Sequence, residues 1–308
     1  MNKNQHSVSV VIPAYNEETG LSVLLPQLVE KHDQHGWEII VVNDGSNDKT
    51  REIAEKFAPK IRLINHRVNS GYGASIKSGV RVAHSYWIAT FDADLQHQIS
   101  DLEKLIANSE GHDAVIGMRA NMKNSGFWRM PGKIVLRYIF SFITGYKVKD
   151  INCGLRIIKR SVMFKIFGLA CDRFSFSTST TIALLNLGYE VNFVEINVQK
   201  RVGTSTVRQV SDGMQAILLM LRMVTLFNPF RVFLPIAGVL LVLGISYQVA
   251  DFFISGITIH KSALLLIVCG LMLFLFALQQ DQISSLRREI ASFEVNFEDG
   301  GENDNEKA

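Results

Sequence analysis

Two long apolar runs near the C-terminus constrain the fold of this chain more than any other feature. Val232 to Ile254 and Ser262 to Gln280 are almost wholly apolar, and the short segment Ser255 to Lys261 joins them. A helix rises about 1.5 Å per residue, so each run can cross a hydrocarbon core of about 30 Å. The pattern predicts a two-helix transmembrane hairpin with both outer ends on one side of the membrane.

Basic residues around the two runs predict how the hairpin is oriented. Arg222 and Arg231 precede the first run, and Arg287 and Arg288 follow the second. The connecting segment has Lys261 as its one Lys or Arg residue. Because basic flanks stay in the cytoplasm, we expect an integral protein of the cytoplasmic (inner) membrane with the preceding domain and both termini cytoplasmic.

Composition narrows the class of protein further. The net charge of the 308-residue chain is only +3, which gives no case for nucleic acid as a partner. Cys153, Cys171 and Cys269 are odd in number and lack Cys-x-x-Cys spacing. We therefore expect neither a disulfide framework nor a zinc site, and a reducing compartment fits. The polar residues Met1 to His6 show no signal-peptide pattern.

Strand-like and helix-like segments alternate before the apolar runs. The predicted strands are Ser7–Ile12, Trp37–Val42, Ile61–Ile64 and Asp113–Gly117, and the predicted helices are Glu17–His35, a segment from near Asp48, and a segment ending at Ala83. This alternation predicts an α/β domain with a mostly parallel sheet. In such a sheet ligands bind at the carboxyl ends of the strands, so polar turns after the strands are expected at one edge.

A further strand-like run, Ile88 to Phe91, leads into Asp92 and Asp94. In a strand, the i, i+2 spacing would point both carboxylates to the same face. Two converging like charges favour a divalent cation, Mg²⁺ or Mn²⁺, with Gln96 as a neutral oxygen ligand. The alternative is an acidic turn without a metal.

The glycine-bearing turn Asn69 to Ala74 matches neither common nucleotide motif. Ile76 precedes Lys77 where a P-loop requires glycine, and Ile76 also stands where a dinucleotide fingerprint requires its third glycine. Lys77 is then expected to be a solvated lysine on a helix.

Four segments in order resemble family 2 glycosyltransferases of the GT-A fold. They are Val-Ile-Pro-Ala-Tyr-Asn-Glu (11–17), Val-Val-Asn-Asp-Gly-Ser-x-Asp-x-Thr (41–50), Asn-x-Gly-x-Gly-Ala (69–74) and Asp-Ala-Asp-Leu-Gln-His (92–97). Within the family they look most like polyprenyl-phosphate glycosyltransferases, the group that contains dolichyl-phosphate mannose synthase and the bactoprenol glucosyltransferases. The resemblance implies a GT-A nucleotide-sugar-binding domain followed by interfacial helices and the hairpin.

The resemblance also implies roles for individual residues. The implied nucleotide-binding residues are Pro13, Ala14, Tyr15, Glu17, Asp44, Gly71 and Asp92. Asp44 would contact the base, although the family usually has two acids where this chain has Asn43 and Asp44. Asp92 would approach the ribose or the metal. Asp94 and Gln96 would hold the divalent cation on the donor diphosphate.

Two later segments extend the resemblance. Asp150 to Arg156 is similar to the family's Asp-x-x-Ser-Gly-Phe-Arg, with Cys153 in place of serine. Lys200 to Arg208 is similar to Arg-x-x-Gly-x-Ser-Lys, with Thr206 where the lysine is common. Either Arg201 or Arg208 could supply the missing charge, and Arg201 is expected to assist catalysis.

Basic residues after the sheet suggest a site for the acceptor. We expect Arg119, Arg129 and Lys133 to position an acceptor phosphate, because arginine suits bidentate phosphate contact. The helix predicted over Ile134–Ile143 combines apolar, aromatic and basic residues, which suits the headgroup layer of a membrane; packing in a protein core is the alternative.

The resulting hypothesis divides the chain into a catalytic domain (1–211), a juxtamembrane amphipathic helix (212–230), two transmembrane helices (231–281) and a basic, then acidic, largely disordered tail (282–308). The predicted activity is inverting, metal-dependent hexosyl transfer from a UDP- or GDP-linked sugar to a membrane polyprenyl phosphate, for cell-envelope or glycan assembly. One alternative is a sugar hydroxyl acceptor, with Asp150 as the base candidate. The other is a non-catalytic membrane assembly partner. A homo-oligomer is left open.

Overall fold

The computed structural model describes residues 7–120, 141, 145, 150–172, 176–199, 229–256 and 260–305. Several predictions lie outside these residues: the helix over 134–143, the juxtamembrane helix as far as 228, and the roles of Arg129, Lys133, Arg201, Thr206 and Arg208. The described residues form two units, a sheet unit and a helical hairpin.

The sheet unit contains seven strands and six helices within the described residues. The strands are β1 (Val8–Ala14), β2 (Glu38–Asn43), β3 (Arg62–Asn65), β4 (Trp87–Thr90), β5 (Ala114–Arg119), β6 (Arg156–Lys159) and β7 (Val191–Ile196). The helices are α1 (Glu18–His35), α2 (Thr50–Glu55), α3 (Tyr72–Val82), α4 (Ile99–Ala107), α5 (Arg160–Ile166) and α6 (Phe176–Asn186). The predicted α/β alternation is confirmed.

The strands form one sheet in the order β3-β2-β1-β4-β6-β5-β7. β1, β2, β3 and β4 pair in parallel, and β5 pairs in parallel with β7. Only β6, among the described strands, runs in the opposite direction, between β4 and β5. The mostly parallel sheet is therefore confirmed, whereas the reversed strand was not predicted.

Strand β1 lies at the centre of the sheet, and all seven of its residues are buried. Helix α1 packs its predicted inner face, Leu21, Leu24, Leu25 and Leu28, into the core. Full burial of each leucine stabilises the fold by about 1.5–3 kcal/mol relative to exposure. The apolar spacing of α1 thus fixes which side of the helix meets the sheet.

The end of β1 corrects one predicted boundary. The strand was expected to stop at Ile12, but it continues to Ala14, with Pro13 opposite Val42 of β2. Pairing with β4 ends earlier, where the N–H of Phe91 donates to Val11 O at 3.0 Å. Proline has no N–H to donate, and Pro13 would direct that group towards β4 at a point past the end of the β1–β4 pairing. The proline therefore interrupts no hydrogen bond of the sheet.

The hairpin consists of α7 (Pro229–Ser255) and α8 (Lys261–Asn305). Each helix contains a 26-residue segment that is long and apolar enough to span a membrane, Pro229–Ile254 and Lys261–Leu286. Most of the side chains of these segments are exposed, unlike those of core helices in soluble proteins. The two predicted apolar helices are therefore present as a pair.

Small residues let the two helices approach closely. A Cβ on Gly244 would lie 3.1 Å from the carbonyl oxygen of Ala263, and one on Gly270 would lie 3.1 Å from that of Ala237. Such contacts are typical of helix pairs in membranes, where packing rather than hydrophobic burial drives association.

The tail (282–308) was expected to be largely disordered, whereas α8 continues to Asn305. The acidic, glycine-bearing composition is a poor helix former in isolation. A segment that continues an existing helix, however, avoids the cost of nucleation and adds one hydrogen bond for each residue fixed.

Candidate active site

The parallel pairing of β1, β2, β3 and β4 brings the turns that follow these strands to one edge of the sheet, as predicted. The turn after β1 and the turn after β2 are joined by hydrogen bonds. The N–H of Glu17 donates to Thr50 Oγ1 at 2.9 Å, and the N–H of Asn16 donates to Ser46 Oγ at 3.0 Å. Ala14 is buried and Tyr15 is 39% exposed, so Tyr15 is accessible to a ligand.

We expect Asn16→Ala to destabilise the protein by about 1–2 kcal/mol. Asn16 has a φ of +55°, and its Oδ1 accepts the N–H of Asn47 at 2.9 Å. Alanine loses this bond and pays for the left-handed backbone, whereas glycine adopts that backbone freely. Thermal unfolding should therefore rank Asn16→Gly between the wild type and Asn16→Ala. Equal stability of the alanine variant and the wild type would contradict this account.

The carboxylate of Asp44 organises the loop before α3. Asp44 is 3% exposed; its Oδ1 accepts the N–H of Ser70 at 2.9 Å and its Oδ2 accepts that of Gly71 at 2.8 Å. His66 Nδ1 lies 2.7 Å from Oδ1, and its Nε2 lies 2.9 Å from Ser78 Oγ. Asp44 thus positions the glycine turn, a role that the sequence did not reveal. The predicted contact of Asp44 with the nucleotide base would use the remaining lone pairs of its carboxylate.

Asn43, which stands where the family usually has an acid, is matched by a second asparagine. Its Nδ2 donates to Asn65 Oδ1 at 2.9 Å, and its Oδ1 accepts the N–H of Ser46 at 3.1 Å. A carboxylate could accept but not donate, so the amide is suited to a position between a donor and an acceptor.

The acidic pair lies in a turn and not in a strand. β4 ends at Thr90, so the i, i+2 alternation used to predict convergence of Asp92 and Asp94 does not apply. Phe91 and Ala93 are buried, which explains why the apolar pattern continues past the strand. Asp94 Oδ1 accepts the N–H of Gln96 at 3.1 Å, and Leu95 has a φ of +59°.

Helix α1 packs directly against this turn. A Cβ on Gly20 would lie only 1.9 Å from the carbonyl oxygen of Ala93, so only glycine allows the approach. The turn is also tied to the far side of the sheet, because the N–H of Gln199 donates to the carbonyl of Gln96 at 2.9 Å. Both contacts limit movement of the acidic turn.

Two residues that the sequence did not single out hold Asp92. The hydroxyl of Tyr72 donates to Asp92 Oδ1 at 2.8 Å, and Gly154 lies so close that a Cβ there would be 2.0 Å from Oδ2. Burial, with the charge of Asp92, raises the pKa of Tyr72 well above its ordinary value, so the phenol stays a donor. Gly154 belongs to the segment 150–156, which was noted only as a resemblance.

The donor set of the acidic turn fits a hard divalent cation. Asp92, Asp94 and Gln96 are partly exposed and offer carboxylate and amide oxygens. No group of three or more His, Cys, Asp or Glu residues that could enclose a metal occurs within the described residues. Mg²⁺ is typically held by one or two carboxylates together with substrate phosphates, so an open site of this kind suits it.

His97 follows this turn and is buried, with its ring 6.4 Å from that of Phe91 in an edge contact. Its Nδ1 has no hydrogen-bond partner within the described structure. Burial lowers the pKa of His97, opposed by the charges of Asp94 and Asp101. The lowered pKa favours the neutral ring, which packs against Phe91.

Arg119 forms a bidentate ion pair with Asp150. Its Nε lies 2.6 Å from Oδ2 and its Nη2 lies 2.9 Å from Oδ1. The Asp150 side chain is 3% exposed and that of Arg119 is 33% exposed, so the remaining N–H groups can face a ligand. Burial alone would raise the pKa of Asp150, but the hydrogen bonds and charge of Arg119 outweigh it and lower the pKa.

We expect Asp150→Asn to lower the stability at neutral pH by about 1–3 kcal/mol, since it leaves Arg119 without its counter-charge. The folded-state pKa of Asp150 lies below the unfolded value of about 3.9, so its contribution is present above that pH and is lost as the pH falls through the lowered pKa. The stability difference between wild type and variant should therefore narrow below about pH 4.

Thermal unfolding between about pH 7 and pH 3 measures this difference. Asp33→Asn, which removes the exposed pair of Asp33 with Lys60, is the matched control and should cost less than about 1 kcal/mol. A stability difference for Asp150→Asn that stays constant down to pH 3 would contradict the assignment.

The first residue of β6, Arg156, is a fully buried arginine. Arg156 is 0% exposed and donates to Cys153 O, to Ser177 O at 2.9 Å and to Thr180 Oγ1 at 2.6 Å, while its Nε has no partner among the described residues. Burial lowers its pKa and raises that of the neighbouring Cys153 thiol to about 12. Cys153 is therefore an unreactive packing residue.

The candidate nucleotide residues and the acidic turn thus share one edge, and Arg119, paired with Asp150, ends β5 at that edge. Gly71 directly precedes α3, has a φ of +104°, and donates its N–H to Asp44. Of the three residues predicted to position an acceptor phosphate, the structure describes Arg119 and does not describe Arg129 or Lys133. Arg201 also lies outside the described residues.

Known proteins with similar sequences point to one family. Residues 9–167, just over half of the chain, match the model of glycosyl transferase family 2, and residues 228–286 match that of the GtrB C-terminal hairpin. Protein MJ1222 of Methanocaldococcus jannaschii, which is uncharacterised, is 34% identical over 203 residues, 63% of this chain and 82% of that protein.

Other relatives have named activities. The undecaprenyl-phosphate 4-deoxy-4-formamido-L-arabinose transferase of Pectobacterium atrosepticum is 34% identical over 65% of this chain and 62% of its own length. The dodecaprenyl-phosphate galacturonate synthase of Rhizobium johnstonii is 30% identical over 52% of this chain and 49% of its own length. The chain thus spans about half to three fifths of these two proteins.

Solved structures agree on the fold. The glucosyl-3-phosphoglycerate synthase of Mycobacterium tuberculosis, solved with Mn²⁺, UDP and phosphoglyceric acid, superposes with a TM-score of 0.59 over 71% of this chain and 78% of that one. At 16% identity this likeness shows the fold alone. Sheet order, acidic turn and sequence match lead to one conclusion: the chain is a member of glycosyl transferase family 2, with a GT-A-like mixed sheet and a C-terminal hairpin of two apolar helices.

Proposed function

We propose that this protein transfers a glycosyl group from a nucleotide diphosphate sugar to a membrane polyprenyl phosphate, with inversion at the anomeric carbon. The observation that carries the proposal is the combination of the acidic turn after β4 with the C-terminal hairpin. The named relatives use undecaprenyl or dodecaprenyl phosphate and carry different sugars, an amino-arabinose derivative and galacturonate. The hexosyl class and the choice of UDP or GDP therefore stay predictions.

The acidic turn would bind a divalent cation through Asp92, Asp94 and Gln96. Such a cation supplies Lewis-acid stabilisation of the negative charge that develops on the departing nucleoside diphosphate. The structural neighbour with Mn²⁺ and UDP supports this use of the fold, although at low identity. Arg119, at the end of β5, would add positive charge at this edge, and Arg201 is predicted to assist.

The acceptor phosphate would act as its own nucleophile. An oxygen of the phosphate attacks the anomeric carbon as the bond from that carbon to the diphosphate breaks, and the nucleoside diphosphate leaves. The second pKa of a phosphate monoester is about 6, so the acceptor is largely dianionic at neutral pH and needs no protein base. Arg119 retains guanidinium N–H groups that could orient it, with Arg129 and Lys133 as further predicted contacts.

The ion pair and lowered pKa of Asp150 favour a phosphate acceptor over a sugar hydroxyl. A hydroxyl acceptor needs a general base with a pKa near the working pH. Asp150, the base candidate, is buried in a bidentate pair with Arg119 that lowers its pKa. Such a carboxylate is a weak base, which supports a phosphate nucleophile.

Basic flanks of the hairpin support the proposed orientation. Arg231 lies in the first turn of α7, and Arg287 and Arg288 follow the second membrane segment. The positive-inside bias would then place the sheet unit in the cytoplasm, where nucleotide sugars are made available to it.

Transfer of radiolabel to lipid tests the proposal. Purified full-length protein in detergent is supplied with Mn²⁺ or Mg²⁺, a panel of UDP- and GDP-sugars that includes hexoses, pentoses and uronic acids, and undecaprenyl phosphate. We expect label in a mild-acid-labile lipid fraction, lost on chelation of the cation. Undecaprenol, which offers a hydroxyl and no phosphate, is the matched control and should stay unlabelled. Labelling of undecaprenol, or of added sugars alone, would contradict the proposal.

A further inference from the structure

Three consecutive residues connect the two ends of the candidate donor site. The N–H groups of Ser70 and Gly71 donate to the two carboxylate oxygens of Asp44, and the hydroxyl of Tyr72 donates to Asp92 Oδ1 at 2.8 Å. Asp44 follows β2 and Asp92 follows β4, with β1 between the two strands. The segment 70–72 therefore bridges two interstrand spacings, about 10 Å, from the implied base contact to the implied cation ligands.

The phenol of Tyr72 is itself held in place. Its ring lies 6.4 Å from that of Phe176 in an edge contact at 69°. On the other side of the backbone, Gly73 approaches the segment after α5 so closely that a Cβ would lie 2.1 Å from Cys171 O. Lys77, in the same helix, donates to Ala170 O at 2.7 Å and to Asp172 Oδ1 at 2.6 Å. The start of α3 cannot shift without breaking these contacts.

Asp92 has little freedom once the phenol is in place. The hydroxyl of Tyr72 fixes Oδ1, and the backbone of Gly154 lies against Oδ2. A hydrogen bond from a neutral hydroxyl leaves Oδ1 a second lone pair, so the carboxylate can accept this bond and still contact a cation. The bond orients the acid without blocking it.

We propose that Tyr72 is a positioning residue: its hydroxyl holds the Asp92 carboxylate in the orientation that binds the divalent cation and links that orientation to the nucleoside end of the site through Gly71 and Asp44. This inference rests on the proposed use of a nucleotide donor and a cation. It assigns Tyr72 no contact with the substrate.

Binding of Mn²⁺ tests the role without any turnover. The affinity of the full-length protein in detergent for Mn²⁺ is measured by calorimetry in the presence of saturating UDP or GDP, whichever nucleotide the wild type binds. We expect Tyr72→Phe to weaken Mn²⁺ binding about tenfold, the effect of losing a hydrogen bond to a charged group. Phenylalanine keeps the ring contact with Phe176, so the melting temperature should change little.

Tyr86→Phe is the matched control. Tyr86 precedes β4, at the opposite edge of the sheet from Asp92, and its ring lies 5.6 Å from that of Trp87. Removing this hydroxyl should change the affinity for Mn²⁺ less than twofold.

A double variant tests whether Tyr72 acts on Mn²⁺ binding through Asp92 or by another route. In Asp92→Asn, adding Tyr72→Phe should weaken Mn²⁺ binding by no further factor, because the anion that the phenol orients is gone. A further tenfold loss in that background, or unchanged Mn²⁺ affinity for Tyr72→Phe alone, overturns the inference while leaving the proposed function intact. If the wild type binds neither nucleotide with Mn²⁺ and labels no lipid, the proposed function fails, and the inference fails with it.

Discussion

Asp94→Asn should lower kcat/KM for glycosyl transfer by about a thousandfold, the largest single effect that we expect in this protein. A bound cation stabilises developing charge by several kcal/mol, and each 1.4 kcal/mol corresponds to about a factor of ten in rate. Asparagine has nearly the same shape, and its Oδ1 can still accept the N–H of Gln96, the bond that Asp94 makes now. The variant therefore removes a negative charge while keeping the turn.

The measurement is the rate of lipid labelling over a range of Mn²⁺ concentrations, with the melting temperature as a check on folding. Asp33→Asn serves as the control because Asp33 is exposed and pairs with Lys60 on the protein surface. It should leave the rate unchanged. If Asp94→Asn kept wild-type rates at low Mn²⁺, the acidic turn would not be the cation site.

Gly154→Ala should reduce transfer at least a hundredfold while leaving the protein folded. The new Cβ would lie 2.0 Å from Asp92 Oδ2 and 2.8 Å from its Cγ, closer than such atoms can approach. The carboxylate must then rotate away and give up its hydrogen bond to Tyr72. Displacement of a catalytic group by about 1 Å can cost about a hundredfold in rate.

Gly168→Ala provides a matched control for this substitution. A Cβ at Gly168 meets nothing within 4 Å, so that variant should transfer at the wild-type rate. Thermal unfolding of both variants separates loss of activity from loss of fold, because the side chain that must move at Gly154 belongs to Asp92 and not to the core. Wild-type activity in Gly154→Ala would mean that the orientation of Asp92 is unimportant.

Sequence patterns predicted the parts of this fold that depend on local periodicity. The buried leucines of α1, the apolar runs of α7 and α8 and the strand-helix alternation each follow from residues close together in the chain. The common edge of the sheet followed from the rule that parallel strands end together. These predictions needed no knowledge of long-range contacts.

Long-range geometry explains what was missed. Nothing in the four residues of β6 shows that they run antiparallel to β4, because strand direction depends on the connection and not on composition. Lys77 was expected to be solvated, but its side chain is 12% exposed and reaches Asp172. That contact exists because Gly73 lets α3 pack against the segment after α5, a partner about a hundred residues away in the chain.

In the candidate site too, the sequence predicted local features and missed long-range contacts. Motifs identified the acidic turn, but Tyr72 and Gly154 lie 20 residues before Asp92 and 62 residues after it, so only the fold brings them together. Asp44 was assigned to the nucleotide base, and its two bonds to loop N–H groups became visible only with the loop in place. A motif thus names the residues of a site without naming what aligns them.

The reversal of β6 has an architectural consequence for how such enzymes could diversify. Because β6 runs antiparallel to β5, the end of β5 and the start of β6 lie at the same edge of the sheet, where the N–H of Gly117 donates to Leu155 O at 3.0 Å. The Arg119–Asp150 pair joins the end of β5 to the residues that precede β6. The sequence between Arg119 and Asp150 could therefore vary between homologues without altering β4, the strand that leads into Asp92 and Asp94.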